Sequence, residues 1–225
     1  MPNFAGVAKR QGELIRKALA HFIAVQNEDY ELPLDFALTE TASSVLRDLP
    51  AEGWEQLGWV SKSDGVTFAK NTETSTVDSF GAIQPTRSDI TSDVTTAAFT
   101  CQETNKKVLE MYYNVDLSNV EADAVTGETA FNESIEPQTI YQRMLFVSKD
   151  GFGSRELYIA KLLPRASVTT KADQTHSNEN ALTYGMTVTA EVDDEVGFAV
   201  RHIFGGPGWV RLLTQMGFTK AVATP

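Results

Sequence analysis

LTYGMTVTAEVDD, residues 182–194, alternates along its length: Tyr184, Met186, Val188, Ala190 and Val192 share one face, and Thr183, Thr187, Thr189, Glu191 and Asp193 share the other. A period of two with one apolar and one polar face marks a strand that lies on a core and turns its other side to water. The segments before it continue the pattern. TIYQRMLFVSKDG (139–151) is a strand that turns at Asp150-Gly151-Phe152-Gly153 and returns as SRELYIAKLLPRASVTT (154–170). The returning segment carries apolar residues on both faces, which suits a strand that is central or buried on both sides by another subunit. After the polar loop 171–181 and the strand at 182–194, VGFAVRHIF (196–204) is a further strand, and Gly205-Gly206-Pro207-Gly208 leads into an apolar tail.

Moving toward the amino terminus, GWVSKSDGVTFAKNTETSTV (58–77) predicts two strand segments around a turn at Ser63-Asp64-Gly65, with glycine supplying the positive φ. DITSDVTTAAFTCQE (89–103) is a threonine-rich strand with neither face cleanly apolar, which leaves room for a bulge near Thr95-Thr96. Asn105 caps a short helix, KKVLEMYY, with Val108, Leu109 and Tyr112 on one side. Residues 114–138 are acidic and weakly patterned, a long loop or excursion. Leu38, Ala42, Val45, Leu46 and Leu49 have the spacing of an amphipathic helix closed by Pro50. Val7, Leu14, Ala18 and Phe22 form a rough helical stripe, passing into a first strand at about 18–26.

The fold class is therefore mainly β: a sandwich or partly closed barrel of about seven or eight strands, with one or two short helices and long loops. The chain is a single domain over residues 1–225, with an N-terminal arm and first strand (1–33), the acidic excursion (114–138) and a C-terminal arm (205–225).

Composition narrows the function. Thirty acidic against nineteen basic residues give a net charge of −11, which argues against a chain that grips nucleic acid through clustered Lys and Arg. One cysteine, Cys101, excludes an internal disulfide framework or a thiolate zinc site, and it reads as a small packed residue. The three histidines are dispersed: His176 lies in a polar loop, and His202, alternating with Phe198, Val200 and Phe204, reads as inward-facing or as an interface residue. Gly151 to Ser154 is too short for a dinucleotide fingerprint, and the glycines at 205–208 are followed by no Lys-Ser or Lys-Thr, so they read as a turn that redirects the chain. Glu121, Asp123 and Glu128 do not match a calcium-hand loop. The apolar stretch 18–25 is too short, and too interrupted by His21, for a secretory leader, so a cytoplasmic origin is expected; no run reaches membrane-span length. No catalytic residue, metal or cofactor is expected.

Three groups of residues carry a resemblance to a known family. GWEQLGWVSKSDGVTF (53–68) resembles its opening strand and turn. DSFGAIQPTRSDITSDVTTAAFTCQETNKKVLEMYY (78–113) resembles its strand, polar cap and short helix ending in aromatics. LPRASVTT (163–170) and ALTYGMTVTAEVDDEVGFAVRHIFGGPGW (181–209) resemble its closing strands. The family is that of the major tail tube proteins of long-tailed, siphovirus-type bacteriophages, with a texture nearest those of phages infecting actinobacteria. The segments 9–17 and 114–138 have no counterpart in that pattern.

The resemblance implies a non-catalytic virion protein, made in the host cytoplasm, that self-assembles into stacked, hexameric rings forming the tail tube. Its implied partners are itself, the tape-measure protein, the tail tip and tail terminator proteins, and double-stranded DNA passing through the lumen without specific binding; no membrane is involved. Two sets of residues follow as expectations. Asp89, Asp93, Thr187, Thr189, Glu191 and Asp193 are candidates to line the lumen, since threonine and carboxylate side chains hold water and repel phosphate. Trp209, Leu212, Leu213, Met216 and Phe218 are candidates for an inter-subunit arm. The alternative is a non-catalytic β-sandwich binding module on a virion or cell surface, recognising carbohydrate or a receptor, with Trp54, Trp59 and Trp209 as stacking rings.

Overall fold

The computed structural model describes residues 8, 10–27, 29–40 and 43–221. Val7 and Ala42 of the expected helical stripes lie outside them. Among the described residues, eight strands form one antiparallel sheet: β1 Ala20–Gln26, β2 Glu55–Gln56, β3 Val66–Val77, β4 Arg87–Cys101, β5 Tyr141–Asp150, β6 Leu157–Lys171, β7 Tyr184–Glu191 and β8 Arg201–Gly205. Their order is β2-β1-β5-β6-β7-β4-β3, with β8 pairing the first half of β6. The described residues also form two α-helices, α1 Lys106–Tyr113 and α2 Pro207–Met216.

Strand alternation divides the interior into two cores. On β1, β5 and β6, Ile23, Val25, Met144, Phe146, Leu163 and Ala166 face a first core; the intervening Ala24, Leu145, Val147, Ala160 and Leu162 face a second. The sheet curls over the first core. Phe68 on β3 and Phe99 on β4 are separated from β5 by three and two strands, yet their rings meet that of Phe146 edge-on, at centroid distances of 5.2 and 5.7 Å. Residues Tyr184, Met186, Val188 and Ala190 of β7 and Val108, Met111 and Tyr112 of α1 complete this core. The second core is closed from outside by Leu32, Phe36, Leu38, Leu49 and Trp54, all from the segment between β1 and β2.

The described residues of 38–49 do not form the expected helix. Leu38 and Leu49 are buried and Leu46 half-buried, while Val45 is exposed; the chain reaches them as a folded-back loop, with Thr39 bridging Leu46 and the Arg47 N–H donating to the Leu38 carbonyl at 3.1 Å. The turn at 63–65 exists, with Gly65 at φ 62°, but the segment before it contributes only a bridge from Val60 to Cys101 rather than a full strand. The bulge lies at Thr91, not at Thr95-Thr96: Glu73 pairs Ser92 and Thr74 pairs Ile90, so Thr91 is left over. The C-terminal arm is helical. Gly206 at φ 96° and Pro207 at the first position start α2, and Gly217 at φ 86° ends it. Trp209, Leu212, Leu213 and Met216 stand at i, i+3, i+4 and i+7, a helical stripe that was readable in the sequence.

Other expectations hold in detail. Asn105 caps α1, its Oδ1 accepting the Val108 N–H at 2.9 Å, and residues 114–138 contain neither helix nor strand. β6 is central, paired on one side with β5 and on the other with β7 and β8.

Candidate functional site

The most conspicuous exposed feature is the far half of the β3–β4 hairpin. Every residue from 69 through 91 is exposed, on both faces of the two strands. At ~3.3 Å per residue this part projects roughly 20 Å from the body. Its strands are held by ladder hydrogen bonds and by side-chain bonds across them: Lys70 Nζ to Asp93 Oδ2 at 2.7 Å and Thr72 Oγ1 to Asp93 Oδ1 at 2.6 Å. The Lys70 and Thr72 hydrogen bonds hold the Asp93 carboxyl below its usual range. The tip is tied by Ser79 Oγ and Thr86 Oγ1 at 2.7 Å, and it presents Phe80 and Ile83 fully to solvent, with Val77 and Ile90 behind them.

The second feature is a wall of hydroxyls. The faces of β4, β6 and β7 that turn away from the first core carry Thr96, Ala98, Thr100, Arg165, Ser167, Thr187, Thr189 and Glu191, with Arg165 opposite Glu191. Thr169 Oγ1 and Thr189 Oγ1 lie 2.9 Å apart, and Ser167 Oγ donates to Glu191 Oε1 at 3.4 Å. Of the six expected lumen residues, this wall contains Thr187, Thr189 and Glu191. Asp93 shares the alternation of Ala97 and Phe99, which face the first core, so it lies on the opposite side of the sheet. The bulge at Thr91 then reverses the alternation and returns Asp89 to the side of the wall, out on the hairpin, where it pairs with Arg87 at 2.5 Å. Asp193 lies beyond the end of β7, mostly buried, its Oδ1 accepting the Glu195 N–H at 2.8 Å in a turn. Asp89 and Asp93 are thus separated by a bulge that no residue type announced, and Asp193 has a local structural role.

The third feature is the C-terminal helix. Leu212 is buried on its own subunit; Trp209, Leu213 and Met216 are half-buried; Phe218 is exposed. The Trp209 ring stacks on Phe204 at 5.0 Å and meets Phe218 at 5.6 Å, leaving an apolar surface shared by β8 and α2. Of the other tryptophans, Trp54 is in the second core and Trp59 is on the surface, so the three rings do not make one stacking platform.

His202 is exposed on its own subunit, contrary to an inward position; burial first, then the neighbouring Lys161 and Lys70, lower its pKa. Cys101 is buried, and burial with the nearby Glu103 pushes its thiol up to about 12, which leaves it unreactive at neutral pH. Among the described residues, no three His, Cys, Asp or Glu side chains gather at metal-ligand spacing, and no helix is long and apolar enough to cross a membrane.

A curled antiparallel sheet that projects a bare hairpin and leaves edge strands unpaired defines a β protein with more surface to satisfy than one copy satisfies. The sequence profile of the phage tail tube protein family matches residues 11–200, and the chain belongs to that family. It is a structural component of the tail tube and so of the virion. No curated protein matches it in sequence. Among solved structures, a crystal structure of Hcp protein is similar at 12% identity and a TM-score of 0.32, over 81% of this chain and 96% of that one.

Proposed function

We propose that this chain assembles into hexameric rings that stack into the tail tube, and that the tube conducts double-stranded DNA on ejection. The observation that carries the reading is the β3–β4 hairpin. A two-stranded hairpin wet on both faces is marginal in water, and one that ends in two bare apolar side chains needs a surface to cover it. Head-to-tail contacts close into rings when the rotation closes and extend as filaments when it does not, and both are needed for a tube.

The hydroxyl wall is the surface best suited to the lumen. Thr187 and Thr189 hold water, and Glu191 stands opposite Arg165 in the β6–β7 ladder, so DNA meets a wetted wall without a cluster of cations. The C-terminal helix, with Trp209, Leu213, Met216 and Phe218 not fully covered at home, is a surface for the next subunit, while Leu212 anchors it to its own. The tape-measure protein would fill the lumen before DNA does, and the tip and terminator proteins would cap the two ends. Such a protein needs no catalysis.

Sedimentation and negative-stain microscopy of the purified chain, with and without the tip proteins, test this. Uniform hollow tubes or six-fold rings are the expected result; monomers under every condition would defeat it. A chain with Phe80→Ser and Ile83→Ser should melt like the wild type and fail to polymerise.

A further inference from the structure

The two ends of β5 carry opposite charge. At its carboxyl end, Arg16 from the segment leading into β1, Arg155 from the turn after β5, and Arg211 from α2 border a cavity of about 290 Å³. Asp150 and Glu13 also border it, and Arg16 Nη1 lies 3.9 Å from Asp150 Oδ2. That contact leaves cationic capacity over. Arg16 Nη2 is buried without a hydrogen-bond partner, and Arg155 and Arg211 have no ion pair among the described residues.

At the amino end of β5 sits the acidic excursion. Its base is tied there by Asn114 Nδ2, which donates to the Gln138 carbonyl at 2.7 Å, and by Phe131, whose ring meets Tyr113 at 5.5 Å. Between those ties the chain carries Asp116, Glu121, Asp123, Glu128, Glu133 and Glu136 and no Lys or Arg. Asp116 and Asp123 accept backbone N–H groups of their own turns; Glu128, Glu133 and Glu136 are exposed. β5 is ten residues long, so the two charged ends stand about 30 Å apart on one rigid strand. Among the described residues, no ion pair joins the two within one subunit.

We infer that the arginine cavity of one copy receives carboxylates of the acidic excursion of a second copy, in a head-to-tail contact directed along β5. The occupant is this chain itself, since the excursion supplies the charge that the cavity lacks and is held at the opposite pole. Guanidinium groups suit the role because they pair carboxylates in a fixed planar geometry. The contact is one of unlike surfaces and therefore gives the subunit a direction in the assembly. It rests on the tube reading only in that both need self-association.

The test is charge exchange in the full chain. Arg155→Glu with Arg211→Glu, and separately Glu128→Lys with Glu133→Lys, should each raise the concentration needed for assembly at least ~10-fold at low salt, while thermal melting stays unchanged. All four changes in one chain should restore assembly to within about threefold of wild type, because the pair is re-formed with its signs exchanged. Wild-type assembly by either two-residue variant, or a four-residue variant that melts normally and assembles no better than its parents, would overturn the contact. A second measurement does not depend on tubes. In an equal mixture of Glu133→Cys and Arg211→Cys chains, one isotopically labelled, a short bis-maleimide should link unlike partners; links only between like chains, or none, would also overturn it.

Discussion

The ammonium nitrogen of Lys161 lies 3.7 Å from the centroid of the Phe68 ring, closing the open side of the first core with a cation over an aromatic face. Lys161 is on β6 and Phe68 on β3, so the contact spans the curl of the sheet rather than a neighbouring strand pair. Burial lowers the pKa of this lysine. Phe68→Leu and Lys161→Met, measured singly and together by urea unfolding, should show a coupling of about 0.5–1 kcal/mol, the size of a partly exposed cation–π pair. Simple additivity would mean that the lysine stem, not its charge, makes the contact.

His21 sets an acid limit on the fold. Its Nδ1 lies 2.9 Å from Ser148 Oγ, its Nε2 is buried without a partner, and burial lowers its pKa from 6.5 to about 4. The unfolded chain therefore takes up a proton below pH 6.5 that the folded chain resists until about pH 4. Stability is full above the upper value and falls as pH drops toward the lower one, by up to about 3 kcal/mol. His21→Gln should flatten the dependence of unfolding free energy on pH across that window; an unchanged slope would assign it to other groups.

Asn105 joins two elements. Its Oδ1 caps α1 and its Nδ2 donates to the Leu57 carbonyl at 3.1 Å, linking the helix to the segment after β2. Asn105→Ala loses both bonds and should cost about 1–2 kcal/mol, against about 0.5–1 kcal/mol for Asn105→Asp, which keeps the cap. Chemical denaturation distinguishes the two.

Gly208 is where α2 meets the body. Its N–H donates to the Glu156 carbonyl at 2.6 Å, and a Cβ there would strike the Arg155 and Glu156 carbonyls. Gly208→Ala should destabilise by about 1–3 kcal/mol through overpacking against backbone that cannot swing aside. Thermal melting reads the loss.

The legible parts of the sequence were those where local pattern and tertiary burial agree. Tyr184, Met186, Val188 and Ala190 alternate because they pack on one core, and Asn105 is a cap in any context. The segment 38–49 was misread because spacing reports which residues are buried and not the path that buries them; a loop laid over a sheet can hide Leu38 and Leu49 as well as a helix can. The bulge at Thr91 left no mark, since neither Thr91 nor its neighbours Ile90 and Ser92 is a glycine or proline that would announce one, and with it went the shared face of Asp89 and Asp93. The stripe in α2 was legible but obscured by the glycines before it, which suggested a turn when Gly206 and Pro207 were starting a helix.

The position of β6 bears on how the molecule comes apart. Leu163 and Ala166 of this strand lie in the first core, Ala160 and Leu162 in the second, and three other strands hang from its edges. Neither core is enclosed without it. Melting of one half therefore withdraws a wall from the other, and the body unfolds as a single cooperative unit with no surviving subdomain.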